Sequence, residues 1–97
     1  RDGLILWGAG RTGRRLSKHL IRAGHRPDAF VDIAPNRIGS SMRGVPIIGP
    51  DDVAESWQSL RRPLLLAAVA SRGARARIRD HLTCLGLVET IDFLCVA

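Results

Sequence analysis

Short unbroken apolar runs alternate along the chain with amphipathic stretches and glycine-rich breaks. Leu4-Ile5-Leu6-Trp7 is apolar throughout and stops at a glycine loop, the pattern of a strand buried on both faces. From about Thr12 to Ala23 the period lengthens. Leu16, Leu20, Ile21 and Ala23 gather on one side and Arg14, Arg15, Lys18 and Arg22 on the other, which predicts a helix stopped by Gly24. Ala29-Phe30-Val31-Asp32 predicts a second strand and Val45-Pro46-Ile47-Ile48 a third, between Gly44 and Gly49. The connection from Ile33 to Arg43 holds Pro35 and Gly39 and no helical period, so it is expected to contain at most a turn. Pro50-Asp51-Asp52 opens a helix to about Leu60, with acids at its positive end. Leu64 to Val69 is a fourth buried strand. Ala74, Ile78, Leu82 and Leu85 form the inner face of a helix that Gly86 ends, and a last strand is expected around Ile91 to Val96.

Strands that alternate with crossovers, each buried on both faces, give an α/β domain of three layers. The expectation is one domain over residues 1–97 with a five-stranded parallel sheet, doubly wound in the order 3-2-1-4-5. The chain opens at Arg1 with the first strand almost at once, which suggests a piece of a longer polypeptide whose other domain completes any active site.

Composition narrows the class. An apolar fraction of 45% is that of a globular domain, and no apolar run nears the ~20 residues of a membrane-spanning helix. No secretory leader is recognisable, so a cytoplasmic location without membrane attachment is expected. Cys84 and Cys95 lie in no metal-binding or disulfide pattern. The net charge of +6 is carried almost wholly by arginine, Lys18 being the only lysine. The arginines of the first helix have no aromatic residues among them and the chain has no tyrosine, so a solvated face is expected there rather than a nucleic-acid surface.

The informative string is Gly8-Ala9-Gly10-Arg11-Thr12-Gly13. A GxGxxG string alone is weak, but this one follows a predicted strand, opens a predicted helix and precedes an acid, Asp32, at the end of the next strand. Gly8 would permit the tight turn, Gly10 the approach of a pyrophosphate to the backbone, and Gly13 the close packing of helix on sheet. The unpaired N–H groups from Arg11 to Gly13 would hold phosphate oxygens. Asp32 would accept ribose hydroxyls and repel a 2'-phosphate, favouring NAD over NADP, a preference that Arg37 would soften if it turned toward the ribose. Arg11 could fold over the phosphates or lie in solvent. Ser71 and Arg72 follow the fourth strand at the carboxyl edge of the sheet, where they could line the far half of the site, or Ser71 could cap the last helix. His19, His25 and His81 have no partner pattern and are expected on the surface; no catalytic constellation is apparent. The alternative to a cofactor site is an empty crevice in an interaction domain that docks an acidic partner.

With Asp32, Arg37, Gly39, Gly44, Pro46 and Ile47 added, matching D-x-x-x-x-[RK]-x-G followed by x-G-x-P-[IV], the chain resembles compact Rossmann-type domains that bind NAD or CoA. These are the domains of redox-sensing repressors, of succinyl-CoA synthetase, and at the N-termini of sugar acyltransferases and nucleotide-sugar dehydratases. The resemblance implies a nucleotide ligand that is NAD, CoA or a nucleotide-sugar, held in its NAD form by Gly8, Gly10, Gly13 and Asp32. It departs from the pattern at Val69-Ala70-Ser71-Arg72, where a proline often follows the valine. The ending Asp92-Phe93-Leu94-Cys95-Val96-Ala97 is similar to C-terminal appendages of glycosyltransferase-like bacterial enzymes, implying a sugar-modifying parent protein.

Overall fold

The computed structural model describes residues 3–61 and 63–96. Among the described residues six strands form one sheet, flanked by three α-helices. Strands β1 (Leu4–Trp7), β2 (Ala29–Val31), β4 (Val45–Ile48), β5 (Leu64–Ala67) and β6 (Phe93–Cys95) run parallel in the order β4-β2-β1-β5-β6. This is the order expected from the sequence. The expectation of five strands, all parallel, needs one correction: β3 (Ser41–Met42) pairs antiparallel with β4 and adds a sixth strand at the edge. It is two residues long, too short to show a period, and it exists because the turn through Arg43 and Gly44 folds the chain back on itself.

The sheet's pleat sorts its side chains into two cores. Ile5, Trp7, Val31, Leu65, Ala67 and Phe93 point to one face, where α2 (Val53–Ser59) and α3 (Arg72–Cys84) supply Val53, Ile78 and Leu82. Leu6, Phe30, Val45 and Ile47 point to the other face, which α1 (Arg11–Arg22) covers with Leu16 and Leu20. Helices on both faces make the three layers of a Rossmann-type fold. The helix expected from Pro50 begins instead as a single 3-10 turn, Pro50–Asp52, before α2 takes over.

Helix α1 ends where the sequence expects. Gly24 has a positive φ of 88°, and the amides of Gly24 and His25 bond back to the carbonyls of Ile21 and Leu20. This wrapped end satisfies carbonyls that the last turn leaves open and needs a residue free of a Cβ penalty. Helix α3 starts on Ser71, whose hydroxyl accepts the amide of Ala74 at 3.3 Å, so the capping reading of that serine holds.

Candidate functional site

The carboxyl ends of β1, β2 and β5 open into a crevice of about 440 Å³, a size common for small-molecule sites. The glycine loop forms one wall. Each glycine has a separate task. A Cβ at Gly8 would stand 2.6 Å from the Ala68 carbonyl oxygen, and the residue's φ of 128° suits glycine alone. A Cβ at Gly13 would stand on the Gly8 carbonyl oxygen, so this residue lets α1 approach the strand-end loop. At Gly10 the backbone is ordinary, with φ −83°, and the nearest atom to a Cβ is Nη1 of Arg37 at 3.4 Å, the end of a flexible side chain. The fold therefore requires glycine at 8 and 13. At 10 it leaves space open to the crevice.

The start of α1 makes that space polar. Its N-cap, Gly10, offers no side chain, the first turn holds no acid, and Arg14 is the first residue whose amide bonds back, to the Gly10 carbonyl at 2.9 Å. The amides of Arg11, Thr12 and Gly13 are left without an acceptor in the described chain, at the positive end of the helix dipole. Such a terminus suits an anion. Arg11 and Thr12 line the crevice beside it, the first exposed and the second half-buried.

Asp32 follows β2 and is buried, 8% exposed. Its Oδ1 accepts the Ala34 amide at 2.9 Å; its Oδ2 accepts the Ala9 amide at 3.1 Å and Nη1 of Arg37 at 3.1 Å. Burial pushes its pKa up, but the bonds from the Ala34 amide, Arg37 and the Ala9 amide outweigh burial and hold it below the ordinary aspartate value. The acid ties the glycine loop to the turn after β2 as well as facing the crevice. Arg37 turns toward Asp32, so the acid's charge, on which the expected preference for NAD over NADP rested, is paired with a guanidinium.

The far wall comes from β5 and α3. Val69, Ala70 and Ser71 line it, so Ser71 both caps α3 and faces the crevice. Arg72 begins α3 without lining the crevice. Trp7, Pro50, Ala74, Arg77, Ile78 and His81 also line this side. His81 is not the surface residue expected. Its Nε2 lies 3.1 Å from the Pro50 carbonyl, and its ring meets Trp7 edge to face with centroids 5.7 Å apart. The helical spacing of Ala74, Ile78 and His81, at i, i+4 and i+7, was the available signal, since it places the imidazole on the stripe that meets the sheet. Among the described residues there is no group of three or more side chains able to hold a metal ion. Among the described residues no helix is long and apolar enough to cross a membrane.

No family model matches the chain, and no curated protein matches it in sequence. Solved structures do match in shape. UDP-D-quinovosamine 4-dehydrogenase from Vibrio fischeri superposes with a TM-score of 0.82 at 21% identity, over 100% of this chain and 79% of that one. A Rex-family repressor, RSP, superposes at 0.73 with 17% identity, over 96% of this chain and 51% of its own. RSP has also been solved with NADH and with NAD+ and operator DNA. The acetyltransferase domain of PglB from Neisseria gonorrhoeae, in complex with acetyl coenzyme A, gives 0.59 at 24% identity, over 90% of this chain and 41% of that one. The chain thus spans about half the length of the repressor. At these identities the likeness is one of fold, and the chain shares its Rossmann-type fold with domains of these proteins.

Proposed function

We propose that the domain binds a cofactor built on adenosine diphosphate, an NAD-type dinucleotide or CoA, with the pyrophosphate on the start of α1 and the adenosine ribose at Asp32. The observation that carries this reading is the set of three unpaired amides, Arg11 to Gly13, behind a glycine that the fold itself does not require. Three guanidinium groups, Arg11, Arg37 and Arg77, face the crevice against one carboxylate, a balance suited to a ligand with two or more negative charges. The neighbours solved with NADH and with acetyl coenzyme A support the same class of ligand.

A nucleotide-sugar is the second reading, favoured by the dehydrogenase neighbour. The far wall weighs against it. Trp7, Pro50, Val69, Ala74 and Ile78 dominate that wall, and Ser71, Arg77 and His81 are its few polar side chains, with His81 already turned to Pro50. A sugar's hydroxyls would lose water there with few partners to replace it. A flat, weakly polar ring or a thioester arm fits better.

The role that follows is to sense the cofactor or to supply it to another domain of the same polypeptide, in the cytoplasm, with a sugar-modifying parent protein as the more specific form. Thermal shift with NAD, NADP, CoA and UDP-sugars at millimolar concentration tests it. A ligand that binds only the folded state at a hundredfold excess over Kd adds about 2.7 kcal/mol. No shift with any of them would favour the empty crevice and an acidic docking partner.

A further inference from the structure

Helix α1 carries Arg11, Arg14, Arg15, Lys18 and Arg22, and no acid occurs between Arg11 and Arg26. At about 100° per residue these cations fall within an arc of about 100°, away from the Leu16 and Leu20 side that packs on the sheet, and all are exposed. By sequence alone such a row is a solvated face. The fold adds to it. The turn between β3 and β4 brings Arg43 against the helix, its Nε donating to the Ser17 hydroxyl at 3.2 Å and its Nη2 to the Arg14 carbonyl at 3.3 Å. Arg26 joins them, its Nη2 donating to the Arg43 carbonyl at 3.1 Å.

Holding Arg43 here is unfavourable in two ways. Its backbone takes a left-handed φ of 55°, which disfavours a residue with a Cβ, and its guanidinium is brought beside a helix rich in like charge. Ser17, wholly buried within α1, turns its hydroxyl to it where an apolar side chain would otherwise pack. No ion pair offsets this. Among the described residues the two ion pairs belong to Arg37 and Arg79, and none of these cations has a carboxylate partner. Asp51, Asp52 and Glu55 lie with α2, which packs on the opposite face of the sheet.

The chemistry of this surface narrows its partner. None of the exposed large apolar side chains among the described residues lies on α1 or in the Arg43 turn, so a protein partner would find no apolar centre to bury. No aromatic residue stands among the cations, so unpaired bases would find no stacking platform. The exposed side chains of α1 include no hydroxyl, amide or carboxylate to bond a ribose 2'-hydroxyl. A regular line of phosphates fits instead. From Arg11 to Arg22 the helix rises about 16 Å, over which one strand of a DNA duplex presents about five phosphates.

We propose that α1, with Arg26 and Arg43 beside it, docks the phosphate backbone of double-stranded DNA without reading its sequence. Of these cations only Arg11 also lines the crevice, so the inference stands apart from the choice of cofactor.

Fluorescence anisotropy tests it, with two labelled DNA duplexes of about 20 base pairs and unrelated sequence, the RNA duplex of one of them, and poly-glutamate, from about 50 to about 200 mM salt. Both DNA duplexes should bind with micromolar Kd at the lowest salt, within about threefold of each other, and log K should fall against log salt with a slope of about −4 to −5. Lys18→Glu, in the middle of the arc, should weaken binding by at least about tenfold, with Arg22→Glu as the second reversal. Arg43→Gly suits the left-handed turn while removing the cation, and should lower the slope by about 1. Arg72→Glu changes the net charge as much as Lys18→Glu but lies at the start of α3, on the other face, and should change Kd by less than about threefold. Circular dichroism checks that the variants keep the wild-type fold, each substituted residue being exposed. Absence of saturable DNA binding at low salt, a larger preference between the two DNA sequences, equal losses in Lys18→Glu and Arg72→Glu, or RNA or poly-glutamate bound as tightly as DNA overturns the inference.

Discussion

Replacing Gly13 with alanine should damage the fold more than any other single methyl added to the glycine loop. The new Cβ would occupy the Gly8 carbonyl oxygen and lie 2.6 Å from the Gly8 carbonyl carbon, both backbone atoms of the loop that α1 packs against. No side chain can rotate away to relieve the clash. Helix α1 would have to lift from the sheet, loosening Leu16 and Leu20 from the core around Leu6 and Phe30, and the loop would have to strain its own turn at Gly8. Overpacking against yielding side chains costs about 1–3 kcal/mol, and a rigid backbone neighbour puts this change at or above the upper figure. For a domain of this size each 1 kcal/mol moves the melting temperature by about 4–8 °C, so a fall of at least about 12 °C, or failure to fold, is expected. Gly73→Ala is the matched control. It lies in the first turn of α3 with only the Ser71 hydroxyl near a Cβ, at 3.8 Å, so alanine should raise stability by about 0.5–1 kcal/mol. Thermal melts by circular dichroism on both variants decide it. A Gly13→Ala melt within about 3 °C of wild type would refute the packing role given to this glycine.

Gly10→Val should cost no more than about 1 kcal/mol in stability, as a poor N-cap replaces a fair one, yet abolish the thermal shift given by the cofactor; an intact shift would move the phosphates off this loop. Asp32→Ala should lower stability by about 2–4 kcal/mol in denaturant melts, because the amides of Ala9 and Ala34 lose their acceptor; a change below about 0.5 kcal/mol would show that the acid does not hold the loop. The pKa of Asp32 is depressed in the folded state, so its contribution is present above the unfolded value of about 3.9 and is lost as pH falls through the lower folded value. Asp32→Asn should accordingly flatten the decline of stability below about pH 4 and leave its course between pH 6 and 8 unchanged, as measured by urea melts across that range. Ser71→Ala should cost about 1 kcal/mol through loss of the α3 cap, seen as a lower urea midpoint with an unchanged slope.

The strand order was legible because each parallel strand is an unbroken apolar run and each run ends at a turn residue or helix start. Gly8, Gly10 and Gly13 could be given distinct tasks from position alone, and the backbone bears this out for the turn at Gly8 and the close approach at Gly13. What escaped the sequence depends on contacts between distant segments. β3 is two residues that pair only because Arg43 and Gly44 both take left-handed conformations; glycine at 44 hints at this, arginine at 43 does not. The Asp32–Arg37 pair needs the turn through Ala34 to bring the side chains together. His81 owes its place to a 3-10 turn 31 residues earlier, whose carbonyl its ring reaches.

The central claim is that an adenosine diphosphate group sits on the start of α1 beside Asp32. A titration of the isotopically labelled domain with ADP, followed by backbone amide shifts in nuclear magnetic resonance, tests it most directly, because ADP carries the part common to the proposed cofactors. Saturable shifts should be largest at Gly10, Arg11, Thr12 and Gly13, with smaller ones at Ala9 and Ala34, whose amides bond to Asp32. No saturable shifts, or shifts confined to the opposite end of the sheet around Gly3, Leu64 and Leu66, would contradict the account.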